Sequence, residues 1–265
     1  MGYVPPQGMG KAGTAEIPKP LLKGHYHWGY ILEKLVPEYD NFLPIAFGLG
    51  YSMYTSYGTL AGSRSGTGGD SGYSVGGVID THGDVVYIRT DDTTNADVYF
   101  LVHSQIYDYR WHHNPLMYFS FKSLGAKFCV YKALVRMVDT TNLRVIITGN
   151  YYDSDLAELP NTELPYFRVF TDLDETNWMA CQRDPGGGET VVDTGIALDD
   201  KWHVFKMECY EDKTRYYIDD ELVAEITENI DRLFHRYYYI GFTLRTLEAA
   251  TKEMRIAYAL SGLVF

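Results

Sequence analysis

Apolar and polar side chains alternate with a period of two along the last third of the chain. In residues 202–209, for example, Lys206 separates the apolar Phe205 and Met207. The same period recurs in residues 214–219, 237–245 and 254–260. Because successive side chains of a β-strand point to opposite faces, this period predicts strands with one buried and one polar face.

Short apolar runs separated by turn-forming residues continue this pattern upstream. The strand-like runs are residues 85–88, 98–102, 116–121, 130–138, 143–148, 167–170 and 178–182. Only residues 30–36 have a spacing that suits a short helix. Regularly spaced strands with turns between them are typical of an antiparallel two-sheet sandwich. We therefore predict an all-β jelly roll with less than about a tenth of its residues in helix, against a usual share of about a third.

Residues 1–45 differ from the rest of the chain. Their prolines and early glycines prevent this segment from burying a core of its own. It nevertheless carries large apolar side chains: Leu21, Leu22, Trp28, Leu32, Leu35 and Phe42. We interpret residues 1–45 as an extended arm that attaches the protein to a larger assembly, and residues 46–265 as the sandwich. Packing of the arm on its own domain is the alternative.

Composition narrows the classes of partner. The 265 residues include 35 acidic and 23 basic side chains, which gives a net charge of −12. Because nucleic acids and anionic membrane surfaces attract clustered lysine and arginine, this charge argues against both as partners. The 24 tyrosines and 25 glycines favour sheets and turns over helices.

The cysteines and the N-terminus bear on the compartment. Cys129, Cys181 and Cys209 lie in separate apolar stretches without Cys-x-x-Cys spacing, which predicts buried thiols and folding in a reducing compartment. The N-terminus has no basic segment followed by an apolar one, and no stretch of about 18 apolar residues occurs. The sequence therefore predicts neither a signal peptide nor a membrane span.

The clearest motif lies in the same last third. The sequence KWHVFKME at residues 201–208, followed by TRYYIDDELVA at 214–224, resembles the strand and hairpin signature of concanavalin A-like lectin/glucanase (laminin-G-like) jelly rolls. Asp220 stands where glycine is common in that signature. The resemblance covers residues 46–265 and implies a jelly-roll sandwich, but it implies no single function because the fold hosts lectins, hydrolases, lyases and structural modules.

Catalytic motifs of this fold are absent from the sequence. Glycosidases of the fold carry E-x-D-x-x-E on one strand, where alternation puts the carboxylates on one face, and no such motif occurs. We interpret the nearest acidic cluster, Glu208, Glu211 and Asp212, as exposed charges. The fragment 102–107 has the residue types of a lyase site but not their order. We therefore predict that the chain is not an enzyme and assign no catalytic residue.

Metal-binding motifs are also lacking. No His-Glu-x-x-His sequence and no mixed cysteine and histidine spacing occurs, so the sequence predicts no metal cofactor. Acidic pairs could still supply oxygen ligands to Ca²⁺. These pairs are Asp153 with Asp155, Asp172 with Asp174, and Asp199 with Asp200.

The favoured functional hypothesis is a non-enzymatic structural protein of a virus particle. It would be a capsid decoration, turret or fibre module of a tailed phage or archaeal virus, made in the host cytoplasm and located in the virion. A particle released by lysis explains an extracellular type of fold without an export signal. Its partners would be other virion proteins and copies of itself in a homo-oligomer, bound through the arm.

The alternative hypothesis is a carbohydrate-binding module or a degenerate polysaccharide hydrolase or lyase. Sugar sites combine exposed aromatic rings for stacking with polar groups for the hydroxyls. The candidate residues are Trp111, Tyr151, Tyr152, Arg168, Asn177 and Trp178. The two hypotheses overlap, because a decoration protein can bind a glycan on the host surface.

Overall fold

The computed structural model describes residues 36–39, 41–49, 58–64, 74–102, 125–149, 164–184, 188–230 and 240–265. These residues contain fifteen strands and one short 3-10 turn, Thr171–Leu173, and none of them forms an α-helix. Accordingly, no helix of the described part of the chain is long and apolar enough to cross a membrane.

The strands follow one another along the chain with short connections in its second half. They are β1 Phe42–Leu49, β2 Gly58–Arg64, β3 Ser74–Asp80, β4 Gly83–Arg89, β5 Asp97–Val102, β6 Phe128–Met137, β7 Leu143–Gly149, β8 Leu164–Phe170, β9 Asn177–Arg183, β10 Glu189–Ala197, β11 Trp202–Cys209, β12 Thr214–Ile218, β13 Glu221–Ile226, β14 Ile240–Thr246 and β15 Glu253–Val264.

The strands form two antiparallel sheets. Sheet A has the order β13-β12-β11-β6-β15-β4-β3, and β1 pairs with the second half of β15 beside the β4 pairing. Sheet B has the order β10-β9-β8-β7-β14-β5-β2. This arrangement confirms the predicted all-β, antiparallel two-sheet sandwich.

The main core lies between the two sheets. Sheet A contributes Phe205 and Met207 from β11, and sheet B contributes Phe167, Val169 and Trp178, all of which belong to one buried cluster. The alternation predicted for β12 is present, because buried and partly buried residues alternate along it. Alternation is weaker in the central strands β6 and β15, which are buried on both faces.

A second apolar cluster explains why the outer face of sheet A is also covered. Val85, Leu134, Val204 and Leu260 are buried there, and Val36 packs with them. The chain just before β1 therefore lies on its own sheet.

The described end of the predicted arm contacts the sandwich of the same chain. Phe42 opens β1 opposite Val264 of β15, and its ring stacks near Tyr39. Because β1 spans Phe42–Leu49, it runs through the predicted boundary between residues 45 and 46. The other five apolar residues of the predicted arm lie outside the described residues: Leu21, Leu22, Trp28, Leu32 and Leu35.

The hairpin between β12 and β13 resolves the role of Asp220. Asp219 and Asp220 have φ values of 53° and 65°. A two-residue type I′ turn requires positive φ at both central positions, and aspartate tolerates this conformation better than most residues. The departure from glycine therefore leaves the turn intact.

Candidate functional site

Strand β8 carries the outer face of sheet B on which polar groups converge. Phe167 and Val169 face the core, so Tyr166, Arg168 and Phe170 point to the opposite face. That face is nevertheless closed, since Tyr166 is 0% and Arg168 5% exposed. A buried guanidinium requires partners, because an isolated buried charge is strongly unfavourable.

Two carboxylates supply those partners. Arg168 Nε and Nη2 donate to Glu175 Oε1 at 3.1 and 2.9 Å, and Arg168 Nη1 donates to Glu189 Oε1 at 2.8 Å. The Tyr166 hydroxyl donates to the same Glu189 oxygen. We refer to Tyr166, Arg168, Glu175 and Glu189 as the acid–arginine cluster.

Three chain segments build this cluster. Tyr166 and Arg168 come from β8, Glu175 follows the Thr171–Leu173 turn, and Glu189 begins β10. The backbone N–H of Phe170 donates to Glu175 Oε2 at 2.7 Å, which fixes that carboxylate against the end of β8. Glu175 is therefore held at both oxygens, whereas only Oε1 of Glu189 is engaged by the contacts described.

The electrostatics of the cluster favour charged acids and a neutral phenol. Burial alone would lower the pKa of Arg168, but the nearby Cys181, Glu175 and Glu189 raise it above its usual value. Burial also raises the pKa of Tyr166, and the neighbouring Cys181 and Glu189 raise it further. Tyr166 therefore stays protonated at neutral pH and donates its hydrogen bond.

Further arginines line the same face. The Phe170 ring has the guanidinium groups of Arg168 and Arg144 at 4.7 and 4.8 Å from its centroid, distances at which cation–π attraction acts. Arg144 also forms a bidentate pair with Asp172, and this hydrogen bonding lowers the pKa of Asp172.

Thr243 adds an unusual polar group to this face. The strand register places Thr243 of β14 opposite Ile146, and Ile146 opposite Arg168. Thr243 is 4% exposed, and its hydroxyl has no hydrogen-bond partner in the structure as described. A buried hydroxyl without a partner is costly, so this position suits a hydrogen bond to a ligand hydroxyl.

The structure separates the carbohydrate-binding residues predicted from sequence. Arg168 belongs to the acid–arginine cluster, and Asn177 lies at the start of β9, where its Nδ2 donates to Asp193 Oδ1 at 3.0 Å. Trp178 is 2% exposed and packs edge-on to Phe205 in the core, so its ring cannot stack on a sugar. Trp111, Tyr151 and Tyr152 lie outside the described residues.

The interpretation of Glu208 as an exposed charge is wrong. Its side chain lies on the outer face of sheet A, is buried, and accepts hydrogen bonds from Tyr39, Tyr210 and Tyr217 at 2.5, 3.0 and 3.1 Å. Lys206 Nζ lies 3.4 Å from the same carboxylate. This network ties the segment before β1 to sheet A. Glu211 and Asp212 are exposed, as interpreted.

Among the described residues, no group of three or more histidine, cysteine, aspartate or glutamate side chains could hold a metal ion. The acidic pairs considered for Ca²⁺ have other partners. Asp172 pairs with Arg144, and Asp199 binds Lys201 and His203. Asp153 and Asp155 lie outside the described residues.

Glu175 and Glu189 are the members of the cluster that the sequence did not reveal. Glu175 lies within a stretch of turn-forming residues, and Glu189 follows a run of glycines. Neither has a local motif, because only the antiparallel order β8-β9-β10 brings them to the same arginine. The absence of carboxylates on β8 was the only available signal, and it pointed away from the site.

Solved structures resemble this chain over most of its length, although no protein-family model and no curated protein sequence matches it. A glycosyl hydrolase family protein from Mycobacterium fortuitum is 13% identical, with 84% of this chain and 99% of that chain covered and a TM-score of 0.52. The β-glucanase of Bacillus licheniformis is 10% identical, with 85% and 98% covered and a TM-score of 0.50. A β-1,3-glucanase from Mycobacterium marinum is 11% identical, with 81% and 94% covered and a TM-score of 0.50.

The chain has the concanavalin A-like jelly-roll fold. The resemblance stated from residues 201–208 and 214–224 is therefore confirmed. The same comparisons contradict the prediction that the chain is not an enzyme, because all three structures are named as a glycosyl hydrolase or as glucanases. That prediction is wrong, and its source was the equation of a missing E-x-D-x-x-E strand with missing catalysis.

Proposed function

We propose that the chain is a carbohydrate-active protein that binds and hydrolyses a polysaccharide at the outer face of sheet B. The observation that carries this proposal is the acid–arginine cluster, in which one buried guanidinium holds two carboxylates beside a protonated phenol. The likeness of the fold to glucanase structures supports it. A β-linked glucan is therefore the first substrate class to test.

Hydrolysis of a glycosidic bond requires a proton donor for the leaving oxygen and an ionised carboxylate that attacks the sugar or activates water. Pairing with one guanidinium favours the ionised forms of both Glu175 and Glu189. Glu189 is the better nucleophile or base, because its side chain is 18% exposed against 8% for Glu175. Glu175 is the positioning residue that fixes Arg168.

The proton donor in this proposal is Tyr166. Its hydroxyl already points to Glu189 Oε1, and its raised pKa keeps the proton on the oxygen at neutral pH. The same raised pKa makes the phenol a weak acid, so we expect slow turnover relative to enzymes that use a carboxylic acid. The unpartnered Thr243 hydroxyl is a candidate hydrogen-bonding group for the substrate.

The decisive experiment measures binding and cleavage separately. Affinity electrophoresis and release of reducing ends are measured with β-1,3-glucan, mixed-linkage β-glucan, xylan and chitin. We expect Glu189→Gln to lower kcat by about 100-fold or more while KM changes little, and Tyr166→Phe to lower kcat by about 10- to 100-fold. Glu225→Gln is the matched control, since Glu225 lies exposed on β13 of sheet A.

Three outcomes would count against parts of this proposal. Binding without release of reducing ends would reject the hydrolysis and leave a binding function. Cleavage that survives Glu189→Gln would reject the assigned residues. No binding to any glycan of the panel would reject the carbohydrate function itself.

Location in a virus particle and attachment through the N-terminal arm are separate proposals that derive from the sequence. The support is the apolar character of residues 1–45 together with their prolines. We expect full-length protein with Leu21→Asp and Trp28→Asp to lose self-association in light scattering while keeping its β-sheet circular dichroism. An unchanged mass, or a wild-type chain that is already monomeric, would reject this form of attachment.

A further inference from the structure

Cys129 and Cys209 lie directly opposite each other on neighbouring strands. The register of β6 and β11 pairs the two residues, which are both buried in the core between the sheets. The Cys129 Sγ atom is 3.9 Å from the backbone carbonyl oxygen of Cys209. Both residues are reduced in this structure.

This placement meets the geometric requirement of a disulfide. Directly opposed residues of an antiparallel pair have Cα atoms about 4.5 or 5.5 Å apart, depending on their hydrogen bonding. Disulfides span Cα separations of about 4.4–6.8 Å. We propose that Cys129 and Cys209 are a dithiol that closes into a cross-strand disulfide when the chain meets an oxidising small-molecule disulfide.

The reaction is a double thiol–disulfide exchange. The thiolate of one cysteine attacks oxidised glutathione, releases one glutathione thiolate, and forms a mixed disulfide. The second cysteine thiolate attacks the protein sulfur of that mixed disulfide and releases the second glutathione. Two electrons pass from the cysteine pair to the oxidant, and the two thiol protons end on the released glutathione.

The structure also sets the rate and the choice of partner. Burial, together with the adjacent Cys129, raises the pKa of Cys209 well above its ordinary value, so exchange is slow in the folded chain and fastest during folding. Cys181 lies on the outer face of sheet B with Tyr166 and Phe170. The sheet therefore separates Cys181 from the pair, which makes the cross-link specific.

The bond would close a large part of the candidate site region. The two cysteines are 80 positions apart, and the chain between them contains β7 to β10 and the whole acid–arginine cluster. Restricting so long a segment in the unfolded state stabilises the folded state. The expected increase in Tm for a chain of this size is about 10 °C.

The test refolds the full chain from denaturant in buffers with oxidised or reduced glutathione. Alkylation, digestion and mass spectrometry then locate the remaining thiols. In the oxidised sample we expect one alkylated cysteine, Cys181, a peptide cross-linked between Cys129 and Cys209, and the higher Tm. Cys181→Ser should behave in the same way, and Cys129→Ser should show one Tm in both buffers.

Three alkylated cysteines after oxidative refolding would overturn the proposal. A cross-link that includes Cys181 would overturn it as well. If Cys129→Ser does not fold, the peptide map and the Tm difference of the wild-type chain between the two buffers still decide the question.

Discussion

Removal of the Arg168 charge is the sharpest test of how the candidate site is held together. Arg168→Met keeps most of the side-chain length and apolar volume but leaves Glu175 and Glu189 without their shared cation. Both carboxylates are largely buried, and Glu175 keeps only the Phe170 N–H at 2.7 Å. Removal of one partner from a buried ion pair costs about 3–5 kcal/mol, because the other charge stays desolvated. We expect a loss of that size at neutral pH.

Urea unfolding followed by tryptophan fluorescence measures this loss directly. The midpoint should fall while the m-value stays constant, since the surface exposed on unfolding does not change. The deficit should shrink at acidic pH, where the two carboxylates become protonated and no unpaired charge remains. Arg215→Met is the matched control, because Arg215 pairs with Glu225 at the exposed surface of sheet A and should lose little. A loss below about 1 kcal/mol for Arg168→Met would refute the argument.

Two further substitutions test the fold outside the site. Gly149→Ala should destabilise by about 1–3 kcal/mol in urea unfolding, because a Cβ there would lie 2.5–2.7 Å from atoms of the Tyr131 ring; an equal loss in a Tyr131→Leu background would contradict this cause. His203 should stabilise the chain most at acidic pH, since its hydrogen bond to Asp219 raises its pKa despite burial. The stability difference between wild type and His203→Asn should be complete below about pH 6.5 and disappear as the pH rises past the raised value; a difference that grows with pH would contradict it.

The fold was predictable because strand periodicity is a local signal. Residues 202–209 and 214–224 alternate within a few positions, and their hairpin needs only the two aspartates at the turn. Burial of both faces was not predictable in the same way. Lys132 and Lys206 point to the outer face of sheet A, yet both are buried, because Glu38 from the segment before β1 contacts them at 3.2 and 3.4 Å.

The candidate site was only partly predictable for a related reason. Arg168 was recognised because a cation within an apolar strand is unusual. Its acidic partners lie 7 and 21 positions away, and neither has a motif of its own. Trp178 was misjudged because the parity of β9 decides which of two adjacent residues faces the core. In this strand Trp178 faces inward and Asn177 faces outward.

The acid–arginine cluster inverts the charge arrangement that the sequence search looked for. In the E-x-D-x-x-E pattern the acids stand on the strand, whereas here β8 presents a cation and the acids come from the following turn and from β10. Strand β9 lies between β8 and β10, so Glu189 must reach across it to Arg168. Any shift in the register of β10 would therefore remove Glu189 from the cluster but leave Glu175 in place. The two acids thus have separable roles: Glu175 belongs to the architecture of β8, and Glu189 reports the alignment of the sheet edge at which a polysaccharide would bind.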